Sequence, residues 1–388
     1  MSEKPSTPKG WPLWSAGFRP FFLAAGCWAV LAMLAWVLML RGVLALPTRF
    51  DPVQWHQHEL LFGFVPAAIA GFLLTAVPNW TGRPPIRGRL LVVLALLWLL
   101  GRIGVASSAL IGALPAALAD LSFLVLLAVL IGREIILAGN RRNLPVPMVL
   151  AVLILANLMI HLGSVDFPLM AAAGKRLAIG IVLLLISLIG GRIVPAFTGN
   201  WLRGRGETLL PTPFSRLDQV AVVLSIIALA AWVVIGMRPL TGAALIVAGI
   251  GQGLRLARWR GAATRSEPLL WILHLGYAWI PLGLVLLGAS AWWPQLTTPG
   301  IHALTAGAMG TMILAVMTRA TLGHSQRPLT AGTGTLVAYL LVLVAVGARL
   351  VGPFTGAGYG PALDLAAGAW IAGFGLFVVL YAPLYLRR

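Results

Sequence analysis

Charge is the scarcest commodity in this chain. Of its 388 residues only 10% are Asp, Glu, Lys or Arg, whereas a soluble domain carries about a quarter and spends them on its surface. With 60% hydrophobic residues and a mean hydropathy of +0.94, a soluble globular protein and a disordered chain are both excluded. Cysteine is almost absent. The lone Cys27 lies inside the first apolar run, which excludes a disulfide framework and any four-thiolate metal or cluster site. Strongly alternating ten-residue strands are missing too, so an outer-membrane barrel is excluded. No phosphate loop, zinc-protease helix, paired-carboxylate site or dinucleotide fingerprint is convincing.

What remains is a sequence of long runs rich in Leu, Ala and Gly. A membrane-spanning helix needs ~20 apolar residues. Runs bounded by Pro, Gly, Asn and Arg fall near 18–46, 55–79, 90–111, 115–138, 146–164, 176–198, 217–236, 239–259, 268–291, 300–320, 332–352 and 361–386. The expected fold is all-α, a polytopic membrane bundle of 12 transmembrane helices forming one integral membrane domain over 1–388. The short polar segment Met1 to Pro12 carries no small-residue cleavage site after the first run, so no removable signal peptide is expected.

The 28 basic residues against 10 acidic ones would suggest a polyanionic partner in a soluble protein. Here they sort by loop. Arg83, Arg87, Arg89, Arg141, Arg142, Arg203, Arg205, Arg216, Arg255, Arg258, Arg260, Arg265, Arg319, Arg327, Arg387 and Arg388 fall on one side, and Arg41, Arg49, Lys175, Arg176 and Arg238 on the other. This bias is the positive-inside pattern of a bacterial inner membrane protein with both termini cytoplasmic. The expected partner of that charge is anionic membrane lipid, and no nucleic acid is expected.

Internal similarity adds a pattern. His58, Gly63, Arg83 and Pro84 in span two and its loop match His302, Gly307, Arg327 and Pro328, both H-x4-G-x19-R-P, at an offset of 244 residues. Leu158 to Gly163 in span five resembles Trp271 to Gly276 in span nine, and spans two and six both end in Asn-Trp. These pairings fit three four-helix units, 1–140, 141–260 and 261–388. That is the architecture of haem–copper oxidase core subunits, which hold a haem by histidines on spans two and ten; the parallel is one of architecture alone.

Six histidines carry the candidate chemistry: His56, His58, His161, His274, His302 and His324. A ligating or ionisable group at membrane depth costs ~2.5–3.5 kcal/mol when charged and so reads as functional by default. His58, His302 and His161 are expected to converge in one layer as iron or copper ligands. On a helix His56 and His58 point apart, so one should ligate while the other meets a second metal or a propionate. Glu59 is the candidate proton relay, or else orients an imidazole. His274 and His324 lie toward the opposite side, where a second haem or a copper site could sit, although a solvated loop residue is the simpler account of His324. Arg19, Arg102, Arg192 and Arg349 lie at or within spans and are candidates to hold haem propionates, with Arg192 alone expected in the interior. Asp120, Glu134 and Asp364 are weaker candidates for proton conduction, and the scattered Met and interfacial Trp read as packing and an aromatic belt.

Several segments together resemble the NnrS family. They are Ser15-Ala16-Gly17-Phe18-Arg19-Pro20-Phe21-Phe22, Trp55-His56 with His58-Glu59, Leu74 through Pro84, Gly191-Arg192-Ile193 through Asn200-Trp201, and His302-Ala303-Leu304-Thr305 through Arg319 and Gly323-His324. The resemblance implies twelve spans, one or two haem b groups, copper as a further candidate, and nitric oxide as the relevant gas. It departs from haem–copper reductases, whose active-site metal takes histidines on spans six and seven, where this chain has none. The leading expectation is nitric oxide reduction to N2O with electrons from membrane quinol, His56 and Glu59 acting in catalysis. The alternatives are a non-catalytic haem sensor or sink for nitric oxide that protects iron pools, and a twelve-span transporter.

Overall fold

The computed structural model describes residues 11–164 and 167–387, so the expectation about the N-terminal segment lies largely outside the described residues. Among them are twelve helices long and apolar enough to cross a membrane, and no strand. They are α1 (Phe18–Leu40), α2 (Pro52–Thr81), α3 (Arg89–Ala106), α4 (Ala113–Leu137), α5 (Arg141–Gly163), α6 (Leu169–Arg203), α7 (Arg216–Ile235), α8 (Pro239–Ala257), α9 (Pro268–Ala289), α10 (Pro294–His324), α11 (Thr333–Phe354) and α12 (Gly356–Leu386). All twelve expected spans are found, with shifted ends. α1 stops before the expected 46 because Arg41 and Gly42 turn the chain into an extended stretch through Pro47. α6 and α10 run longer than expected, since helix continues through the segments that flank the expected runs.

Successive helices pack side by side, and α12 returns against α1, so the chain closes on itself. The most enclosed helices are α2 and α10, with 78% and 67% of their apolar windows buried against 56% or less elsewhere. Both begin with a helix-start signal. Asp51 accepts from the N–H groups of Val53 and Gln54 at 2.8 Å ahead of Pro52, and Pro294 opens the turn that leads into α10.

Each of these two helices changes register just after a histidine. A π-helical stretch covers Glu59–Phe64 after His58, and another covers Ala303–Gly310 after His302. Such i→i+5 turns insert an extra residue into the helix and re-aim everything beyond it, often at functional sites. The glycine of each matched motif lies within its π-helical stretch. A Cβ at Gly63 would collide with the Trp28 indole and one at Gly307 with the Trp279 ring, so an indole packs on the bare backbone in both places.

Candidate functional site

Between α2 and α10, toward the arginine-poor face, lies a cavity of about 410 Å³ lined mostly by apolar groups. His56 and His302 both face into it, together with Met33, Trp36, Met309 and Trp370. Trp36 stacks on the His56 ring at 4.0 Å between centroids, which fixes the ring's plane. The His302 Nδ1–H donates to the Thr298 carbonyl at 2.8 Å, a bond that leaves Nε2 with a free lone pair. At His56 the buried Nδ1 has no partner, and neither has the Trp36 Nε1–H. Orphaned polar atoms of this kind signal a group that completes the wall. Lys175, Arg176 and Arg349 add positive charge around the same cavity, Lys175 being positioned by a 3.0 Å bond to the Gln57 side-chain oxygen.

A second cluster lies outside this cavity lining and joins α2, α3, α4 and α5. His58, Glu59, Arg102, Asp120, Asn157 and His161 are all buried there. Arg102 bonds one oxygen of Glu59 at 2.7 Å and pairs with Asp120 Oδ1. The other Glu59 oxygen sits 3.1 Å from His58 Nδ1. Asp120 Oδ2 lies 3.1 Å from His58 Nε2 and 2.9 Å from His161 Nε2, and it accepts from Asn157 at 2.8 Å. One carboxylate therefore faces two imidazoles, and an arginine holds its far oxygen.

The expected single layer of His58, His161 and His302 is thus divided. His58 and His161 meet at Asp120, whereas His302 shares its cavity with His56. The reason is helix geometry, since residues two apart on a helix are rotated by ~200° and the π-helical turn re-aims only the residues C-terminal to it. Glu59 does not line the cavity, and both its oxygens are engaged. Arg192 is exposed and reaches Asn143 at 3.5 Å, which corrects its expected interior position: its long side chain turns outward from α6. Arg19 is also corrected, because its guanidinium donates to the carbonyls of Tyr385 and Arg387 and so caps the end of α12.

His274 is buried and bonded through Nε2 to Thr198 at 2.8 Å, beside Trp259. His324 is exposed and stacks on Phe18. Neither belongs to a group of three metal-ligating residues among the described residues. Asp364 pairs with Arg41 at the surface and Glu134 with Arg83. Sequence reasoning underrates Asp120, Arg102 and Arg349 and misses Asn157, Lys175 and Arg176 as site residues. A charged residue within an apolar run is the available signal for the first three; nothing in the sequence marks Asn157.

Twelve apolar helices, with imidazoles and charged groups gathered among spans two to five and around one large cavity, define a polytopic membrane protein. The family model described as NnrS protein matches residues 12–388, and the chain belongs to that family. Membership links it to the response to nitric oxide. No curated protein and no solved structure matches it.

Proposed function

We propose that the protein is a haem-containing membrane enzyme that binds nitric oxide in the α2–α10 cavity and reduces it, two NO, two electrons and two protons giving N2O and water. The observation that carries this reading is the pair His56 and His302, brought from the two innermost helices to one apolar cavity of about 410 Å³. The residues fit a haem b. His302 offers Nε2 as a ligand, His56 has an orphaned ring nitrogen, and Lys175, Arg176 and Arg349 suit two propionates. When bound, the haem supplies a redox-active iron that takes the gas and electrons.

The protein's own part is confinement. Trp36 fixes the His56 ring, Met33, Met309 and Trp370 keep the wall apolar, and nitric oxide, small and uncharged, partitions into such a space from the bilayer. Glu59 acts in this reading by orienting His58, since its oxygens are already bonded there. Electrons come from membrane quinol. The chain sits in a bacterial inner membrane with both termini cytoplasmic, which the arginine bias of its loops supports. The same reading takes the bundle as three four-helix units with α2 and α10 in equivalent places.

Purified protein should show a Soret band that shifts with nitric oxide, and His56→Ala and His302→Ala should each remove or alter it. Anaerobic turnover with a quinol should release N2O. A shifted band without N2O would leave a non-catalytic sensor or sink, and absence of any Soret band after reconstitution would sink the haem assignment.

A further inference from the structure

The cluster beside the cavity has a geometry that the haem reading does not use. His58, Asp120 and His161 each offer one ligand atom within 4.8 Å of the other two, and Asp120 Oδ2 lies 3.1 and 2.9 Å from the Nε2 atoms of His58 and His161. Two donors bound ~2.1 Å from one metal ion, at right or tetrahedral angles, stand ~3.0–3.4 Å apart. The groups behind these three atoms are those that hold metal ligands in place. Glu59 takes the far nitrogen of His58, Arg102 takes the far oxygen of Asp120, and Asn157 braces the near one. A carboxylate on the unligated nitrogen fixes the tautomer and makes imidazole a better ligand.

Hydrogen bonding points the same way. His58 Nδ1 faces the Glu59 carboxylate, and its Nε2 faces Asn157 Oδ1 at 3.1 Å as well as Asp120. A neutral imidazole has one N–H, so acceptors at both nitrogens fit an imidazolium or, in place of the second proton, a metal cation at Nε2. Glu59 and Asp120 against Arg102 leave one negative charge uncompensated to receive it.

We propose that His58, Asp120 and His161 form a second metal site, a two-histidine, one-carboxylate centre for a divalent first-row transition ion. Imidazole and carboxylate donors suit Fe(II), Mn(II), Co(II) or Zn(II) better than the soft Cu(I), which favours thiolate and thioether. The site is independent of the haem pocket, so each reading can fail alone.

The test uses full-length protein in detergent, freed of metal with a chelator and titrated with Co(II), then with Zn(II) in competition. Expected are one equivalent of Co(II) per chain with visible ligand-field bands, and displacement by Zn(II). Asp120→Asn and His161→Gln should lower uptake at least tenfold while the Soret band stays. His302→Ala should do the reverse. The second variant keeps a hydrogen-bonding side chain against Asp120, so it is the safer of the two to fold, and elution as a single species confirms it. Wild-type protein that takes up no Co(II), or variants that bind it as wild type does, would overturn the proposal and leave a proton-bound polar network.

Discussion

Two buried arginine–aspartate networks cross this bundle, and they differ in what surrounds the ion pair. In the first, over α2 to α5, Arg102 and Asp120 are joined by two imidazoles and a second carboxylate. In the second, over α6 to α9, Arg255 Nε meets Asp218 at 3.0 Å and its Nη1 donates to Ser187 and Tyr277 at 2.9–3.0 Å, while Arg258 also pairs with Asp218 at 2.9 Å. Gln252 and Ser225 close that circuit with bonds of 2.6 and 2.8 Å. Every group in the second network serves as a donor or acceptor to a neighbour, so it reads as helix glue. In the first, two imidazole nitrogens face one carboxylate oxygen, and only that arrangement has the donor set of the proposed metal site. A buried ion pair alone therefore does not mark a site; its surplus acceptors do.

The comparison breaks most easily at single charges. Arg102→Ala takes the arginine from two buried carboxylates, Glu59 and Asp120, and should cost ~3–5 kcal/mol, whereas Arg255→Ala leaves Asp218 paired with Arg258 at 2.9 Å and should cost less. Thermal unfolding followed by size-exclusion fluorescence should show both losses. If Arg255→Ala also changed the Soret band or metal content, the distinction between the networks would be wrong.

Smaller effects sharpen it. Gly63→Ala places a methyl against Trp28 and the Arg102 guanidinium, 2.9 Å from its Nη1, and should cost ~1–3 kcal/mol and disturb the first network only. Arg255→Met with Asp218→Asn should be less harmful than Asp218→Asn alone, because it leaves no fully buried arginine unpaired; Arg258, which also loses Asp218, is partly exposed. The equivalent pair of changes at Arg102 and Asp120 should instead abolish metal uptake whatever it does to stability. Least of all is expected from Asp364→Asn. That carboxylate pairs with Arg41 where both are exposed, so the unfolding midpoint, N2O release and metal content should all stay as in wild type.

The sequence carried the bundle and half of the site. Twelve runs of apolar residues translate into twelve helices because the bilayer leaves an unpaired backbone no other solution. The matched glycines at 63 and 307 were visible as a repeat, and each does receive an indole. Which imidazoles meet was not legible. The repeat pairs His58 with His302, yet the cavity takes His56 with His302, since the shared motif fixes where a histidine lies along its helix but not which neighbours it faces. Asn157 and Asp120 lie 37 residues apart on different helices, and only packing brings them to one oxygen.

By itself, then, the scarcity of charge determined a membrane protein, the arginine pattern gave the loops their bias, and the cost of polar groups in hydrocarbon made histidine and buried charge the short list for chemistry. Tertiary structure decided the grouping: one pair of imidazoles on a cavity, another pair on a carboxylate, Arg192 turned outward and Arg19 spent on a helix end. Composition reports how expensive a residue is to bury, a property of that residue and its solvent. Which partner offsets the cost depends on helix rotation and packing between distant segments, and no local pattern encodes that.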